Sequence, residues 1–157
     1  MKLNWKKLLF CLFLPLGVGG LSAFFTRNSI SVYDTINKPA FAPPGWVFPI
    51  VWIVLYILMG IASYRISESS APTGQKNRML LLYGLQLFFN FVWPLFFFGL
   101  IAFYFAFMWL CVMWVLILWL MVKAYRWDRV AFWCLVPYEA WVTFAGVLNW
   151  FVAQNNL

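Results

Sequence analysis

Five long apolar windows, separated by short polar segments, set the pattern of this 157-residue chain. Windows 8–25, 46–64, 79–98 and 101–122 contain no Asp, Glu, Lys or Arg, and window 130–152 contains one, Glu139. About 20 apolar residues in a helix cross the roughly 30 Å of a bilayer's hydrocarbon. The windows therefore predict membrane-spanning helices over about 8–25, 46–66, 79–98, 101–122 and 130–152. Positions 79–122 carry no charged side chain at all. One helix over that stretch would reach about 66 Å, twice a bilayer, so the chain must reverse, and Gly99 is the expected turn. The fold class is an all-α membrane protein, a five-transmembrane-helix bundle, with residues 1–157 in a single domain.

The polar segments differ in kind. Residues 67–77, rich in Ser, Pro and Gly, read as a flexible linker. Residues 27–45 do not. Positions 29–36 suit one or two helical turns. Pro39, Pro43 and Pro44 then hold the chain extended, with Phe41 and Trp46 flanking the proline pair. Such a loop is either a lid over the bundle or an interfacial aromatic anchor. The first window follows Lys2, Lys6 and Lys7 and ends near Leu21-Ser22-Ala23, as a cleavable leader does. Its length exceeds the usual 7–15 apolar residues of such leaders, so a retained first helix is expected.

Charge gives the sidedness. With five spans, the N-terminus and the second and fourth loops share one side and hold nine Lys/Arg: Lys2, Lys6, Lys7, Arg65, Lys76, Arg78, Lys123, Arg126 and Arg129. The other side holds Arg27 and Lys38. The positive-inside rule places the N-terminus in the cytoplasm and the C-terminus outside, with a bacterial membrane as the expected location. The same rule accounts for the net charge of +7 without nucleic acid.

Composition narrows the chemistry. The apolar fraction is 66%, against roughly 45–50% in soluble chains, and charged residues are 10%. These values exclude a disordered chain and a conventional soluble enzyme. Aromatic residues reach 23%, including 11 Trp and 18 Phe, and His is absent. The absence excludes His-dependent nucleophiles, His metal sites and His-ligated haem. Four carboxylates, Asp34, Glu68, Asp128 and Glu139, leave little for paired-carboxylate or cation-cage chemistry. Cys11, Cys111 and Cys134 lie in separate apolar runs and form no disulfide or metal pattern. No metal site and no catalytic constellation follow.

Gln86, Asn90 and Trp93 fall on one helix face. Amides inside a bilayer need partners, so they point into the bundle, either as interhelical glue or as donors to a polar ligand group. Trp109, Trp114 and Trp119 step about 140° apart and form no stripe; they serve lipid contact or packing. Ala102 and Ala106 are a small-xxx-small pair, a feature of close helix contacts. Glu139 lies at mid-membrane depth, where a charge is costly. It is a protonated carboxyl, a contact to helix one or a partner subunit, or a proton relay, and it points away from Trp141.

Three stretches resemble one known family. The run Lys38-Pro39-Ala40-Phe41-Ala42-Pro43-Pro44-Gly45-Trp46-Val47-Phe48-Pro49-Ile50-Val51-Trp52, continuing through Tyr56 to Ala62, is similar to the signature of the tryptophan-rich sensory protein / translocator protein family (TspO/MBR, the peripheral benzodiazepine receptors). Gln86–Trp93 with Phe96–Gly99 resembles that family's third helix, and Val136-Pro137-Tyr138-Glu139-Ala140-Trp141 with Ala145 and Asn149 its fifth. The resemblance implies a five-helix bundle, often a homodimer, that binds tetrapyrroles such as protoporphyrin IX as a sensor or carrier, with no obligatory cofactor. It also implies binding of benzodiazepine-site drugs in some members. Its alternatives are light-dependent porphyrin breakdown and sterol or lipid translocation. By motif position, Trp52, Tyr56, Gln86, Asn90, Trp141 and Ala145 form the pocket and Phe41 closes it. Ala145 leaves room beside the Trp141 ring for a flat macrocycle. Trp52 or Trp141 would donate the electron in any photochemistry. Phe41 stands where the family usually has Trp, and Glu139 where it usually has an apolar residue. The family's sterol-recognition pattern at the end of helix five, a Tyr with a following Arg or Lys, is missing from 147–157, which speaks against sterol.

Overall fold

The computed structural model describes residues 3–156, so Lys2 lies outside the described residues. The chain is all helix among them: α1 (Trp5–Thr26), a short α2 (Val32–Thr35), α3 (Val47–Glu68), α4 (Thr73–Pro94) continued by a π-helical turn (Leu95–Gly99), α5 (Phe103–Trp127) and α6 (Arg129–Asn155). Five of these helices are long and apolar enough to cross a membrane. The long helices close a ring in which α1 meets α3, α3 meets α6, α6 meets α5, α5 meets α4 and α4 meets α1. A buried apolar core runs through α3, α4, α5 and α6, while Phe10, Phe13, Ile53, Phe88, Val115 and Trp119 are among the many large apolar side chains exposed to lipid.

Local chemistry fixes the ends. Asn4 caps α1 by accepting from the Lys7 amide at 3.2 Å. Asp128 caps α6 by accepting from the Ala131 amide at 2.9 Å and also pairs with Arg65 of α3 at 2.9 Å. Lys7 of α1 pairs with Glu68 at the end of α3. The ion pairs therefore sit at the end of the bundle that carries the N-terminus.

The expected flexible linker over 67–77 is not there. The α3 helix runs to Glu68 and α4 starts at Thr73. Pro72 stands just ahead of α4, where a missing amide proton costs nothing, and its carbonyl accepts from Gln75 and Lys76. Ser67 and Ser69 bond back to the Tyr64 and Ile66 carbonyls. Gln75, Lys76 and Arg78 are good helix formers that carry the first turns past Gly74 and Asn77, and only hydropathy had ended the window at 79.

The reversal after α4 also differs from the expected Gly99 turn. Pro94 removes a helical amide, and the helix widens into the π-helical turn, where the Leu100 amide reaches the Leu95 carbonyl at 2.9 Å. The residue that takes a left-handed backbone is Ile101, at φ 54°, and no glycine among the described residues does so. A β-branched residue there carries strain.

The α1 helix packs close. A Cβ on Gly60 would come 2.7 Å from the Cys11 carbonyl oxygen and 2.8 Å from the Leu12 Cα, so α3 meets the α1 backbone at a position only glycine fits. A Cβ on Gly19 would come 2.1 Å from the Tyr56 ring.

Candidate functional site

The α3 helix presents Phe48, Trp52 and Tyr56 at four-residue spacing, one face of a helix. The α4 helix presents Asn90, Trp93 and Pro94, and Phe98 follows in the π-helical turn. The α1 helix turns a stripe of small residues toward them: Gly19, Ser22, Ala23 and Thr26. Because those side chains are small, space remains, and a cavity of about 240 Å³ opens between the three helices. Ile30, Tyr33, Asp34 and Gly45, from the segment joining α1 to α3, line its mouth.

Aromatic faces dominate the wall. Trp52 stacks on Tyr56 with ring centroids 5.5 Å apart and meets Tyr138 edge-on at 6.2 Å. Phe48 meets Tyr33 edge-on at 5.1 Å, and Trp93 stacks on Phe97 at 5.1 Å. A chain of hydrogen bonds closes the floor. The Tyr56 hydroxyl donates to Asn90 Oδ1 at 2.7 Å, Asn90 Nδ2 donates to the Tyr138 hydroxyl at 3.0 Å, and that hydroxyl donates to Gln86 Oε1 at 2.7 Å. Trp93 Nε1 donates to Asn149 Oδ1 at 3.1 Å, and Asn149 Nδ2 donates to the Phe103 carbonyl at 2.9 Å. The buried amides thus bind helix to helix, as the apolar surroundings require.

The remaining hydroxyls on the wall are also committed. Ser22 donates to the Phe91 carbonyl and Thr26 to the Ser22 carbonyl, each at 2.9 Å.

The segment over the mouth is strapped down. The Tyr33 hydroxyl donates to the Pro43 carbonyl at 2.7 Å. Lys38 donates to the Tyr33 carbonyl and lies 4.3 Å from the centre of its ring. Asn156, just past α6, accepts from the Asn37 amide at 2.7 Å and donates to the Asn37 carbonyl at 3.0 Å. Burial first, and the neighbouring Asp34 carboxylate next, raise the Tyr33 phenol above its ordinary value, so it remains a neutral donor.

The structure sorts the residues picked out by sequence. Trp52, Tyr56 and Asn90 share the cavity wall. Gln86 does not reach it: it is fully buried below Asn90 and accepts from Tyr138. Trp141 and Ala145 stand outside the main wall. Trp141 meets Phe48 edge-on at 5.8 Å from behind, and Ala145 lines a much smaller adjoining recess. Phe41 does not close the cavity; it is exposed and its ring packs on Phe144 and Phe151 of α6. The loop of 27–45 does cover the mouth, but through Tyr33 and its neighbours. The proline-stiffened stretch carries Phe41 across to α6 instead.

Glu139 is buried off the cavity wall, and neither carboxyl oxygen has a hydrogen-bond partner among the described residues. Trp109 stacks on Phe89 at 4.1 Å, Trp114 bonds Thr143 and Trp119 faces lipid, so these three serve packing and lipid. Sequence reasoning missed Tyr33, Phe48 and the small stripe of α1 as wall residues, and it set Trp93 on the inward face with Asn90 without counting it in the pocket. The spacing of Phe48 from Trp52 was a usable signal, as was the run of small side chains in an otherwise bulky α1.

A closed five-helix membrane bundle, with an aromatic cavity near one end and a strapped loop across its mouth, defines the class: an integral multi-pass membrane protein with an intrabundle pocket. The TspO/MBR family model matches residues 11–154, and the chain belongs to that family. It is 34% identical to the tryptophan-rich protein TspO of Chlorobaculum tepidum over 147 residues, 93% of each chain. It is 34% identical to protein CrtK of Rhodobacter capsulatus, covering 88% of this chain and 85% of that one. It is also 34% identical to the translocator protein of Bos taurus, covering 91% and 86%.

Proposed function

We propose that this protein binds a tetrapyrrole of the protoporphyrin IX type in the cavity between α1, α3 and α4, and acts as a membrane sensor or carrier. The observation that carries the reading is the stacked Trp52–Tyr56 pair on the wall of a mostly apolar cavity. A planar apolar ring system gains from offset stacking and edge contacts with such rings. The donors in the floor are engaged with one another, so the macrocycle is held by its faces, and its polar edge projects through the mouth under Tyr33. Family membership supports the same reading.

The test is a titration of the purified protein with protoporphyrin IX, in darkness and in light, following Trp emission and porphyrin absorbance. A binder quenches Trp emission saturably while the porphyrin spectrum stays that of intact ligand. Absence of saturable quenching contradicts the proposal. New absorbing products under illumination would assign a degrading enzyme instead, and Trp52, on the wall, would be its electron donor ahead of Trp141, which stands behind Phe48.

A further inference from the structure

The end of the bundle that carries the N-terminus treats its cations unequally. Lys7 pairs with Glu68, and Arg65 with Asp128. At the corner where α5 ends and α6 begins, Lys123, Arg126 and Arg129 have no carboxylate partner among the described residues. Asp128 stands between the last two in sequence but is turned inward. Its side chain is only 8% exposed, and it is taken by Arg65 and by the Ala131 amide. Each of the three cations lies against an aromatic ring instead. Lys123 Nζ is 5.9 Å from the centre of the Trp119 ring, the Arg126 guanidinium 5.7 Å from that of Trp127 and the Arg129 guanidinium 5.1 Å from that of Tyr125. Such contacts steady a cation without neutralising it. An apolar lane runs up to these charges. Val115, Trp119, Val122 and Arg126 follow at four-, three- and four-residue steps, one face of α5. Val115, Trp119 and Val122 are exposed, and the lane from Val115 to Val122 covers about 10 Å of helix.

We propose that this corner is a binding site for one anionic phospholipid, with its phosphate among Lys123, Arg126 and Arg129 and an acyl chain along the Val115–Trp119–Val122 lane. Charge selects the class of lipid. A zwitterionic headgroup brings an ammonium that meets three cations and finds no free carboxylate. A headgroup with a net negative charge, such as phosphatidylglycerol, leaves its phosphate wholly to the cations. None of these residues lines the cavity between α1, α3 and α4, so the site stands independently of the tetrapyrrole reading.

The experiment counts bound lipid by native mass spectrometry on the full-length protein in detergent, titrated with dioleoylphosphatidylglycerol or dioleoylphosphatidylcholine. The parent is expected to prefer phosphatidylglycerol by at least about tenfold, since each cation near the surface is worth roughly fivefold. The triple variant Lys123→Gln, Arg126→Gln, Arg129→Gln should lose that preference, and Arg126→Gln alone should lower it about fivefold. A second triple, Lys6→Gln, Lys76→Gln, Arg78→Gln, removes the same charge from the same end of the bundle. It should keep the preference within about threefold, because remote surface charges are screened. Either triple leaves six Lys/Arg on that side against two on the other, so the positive-inside bias is retained. Millimolar glycerol 3-phosphate should not displace the lipid. Equal losses in the two triples overturn the proposal, because they show a diffuse surface charge and no site. Equal binding of the two lipids by the parent overturns it as well, and displacement by glycerol 3-phosphate would assign a soluble phosphate ligand in place of the lipid. If the first triple does not fold, the single variant decides: an unchanged preference in Arg126→Gln overturns the proposal.

Discussion

Tyr56 has two jobs, because its ring forms part of the cavity wall and its hydroxyl donates a hydrogen bond to Asn90 Oδ1. Tyr56→Phe keeps the ring and leaves a buried acceptor without its donor, a loss of about 1–3 kcal/mol. Thermal unfolding in detergent should show a lower midpoint, with tetrapyrrole affinity changed little. Gly19→Ala should do the opposite. Its methyl meets the Tyr56 ring, which Asn90 and Trp52 hold in place, so the wall is distorted and affinity should fall by more than stability does. At this scale the sequence was partly legible. Trp52, Tyr56 and Asn90 could be placed on the wall because helical spacing fixes which side chains share a face. Gln86 shares Asn90's face but lies one turn deeper, below the floor, and depth along a helix is not written in the spacing. The position of Phe41 depends on how a proline-stiffened loop crosses the bundle, and nothing local to that residue records the crossing.

Among the elements, the turn between α4 and α5 and the strap over the mouth make separable predictions. Ile101 is exposed and strained at φ 54°. Ile101→Gly relieves a conformation that glycine adopts freely and removes little buried surface, so the melting midpoint should rise by the equivalent of about 1 kcal/mol. A fall in the midpoint would show that the side chain matters more than its backbone. Asn156→Leu removes both bonds to the backbone of Asn37. The covering segment should then open more readily, and stopped-flow dilution should show faster porphyrin release with a smaller change in melting temperature. The five spans were legible because the bilayer imposes a length and an apolar composition on each helix. The helix ends were less so: polar residues 73–78 extend α4 beyond the apolar window, and the π-helical turn arises from Pro94 acting together with packing around Phe97 and Phe98.

At the scale of the whole molecule, the covering segment and the end of α6 are bound together, so the cavity mouth lies at the end of the bundle that carries the C-terminus. The ion pairs and most of the Lys and Arg lie at the other end. Positive-inside sidedness then predicts a cytoplasmic N-terminus and a mouth on the opposite face. Alkaline phosphatase fused to the C-terminus should be active in the periplasm, and the same fusion at the N-terminus inactive; the reverse pattern would invert the assignment. The closed ring of helices was not legible in the sequence, which fixes the number of spans but not which of them are neighbours. The cavity follows from that neighbourhood, because the small side chains of α1 make room only when set against the rings of α3 and α4. The central claim is that a tetrapyrrole occupies this space, and the most direct test fills it. Ala23 lines the cavity and is exposed, so Ala23→Trp occupies the cavity without disturbing the core, with the lipid-facing Trp119→Phe as the control. Protoporphyrin IX affinity, measured in darkness, should fall at least about tenfold in Ala23→Trp and stay at the parental value in Trp119→Phe; parental affinity in a folded Ala23→Trp protein would contradict the account.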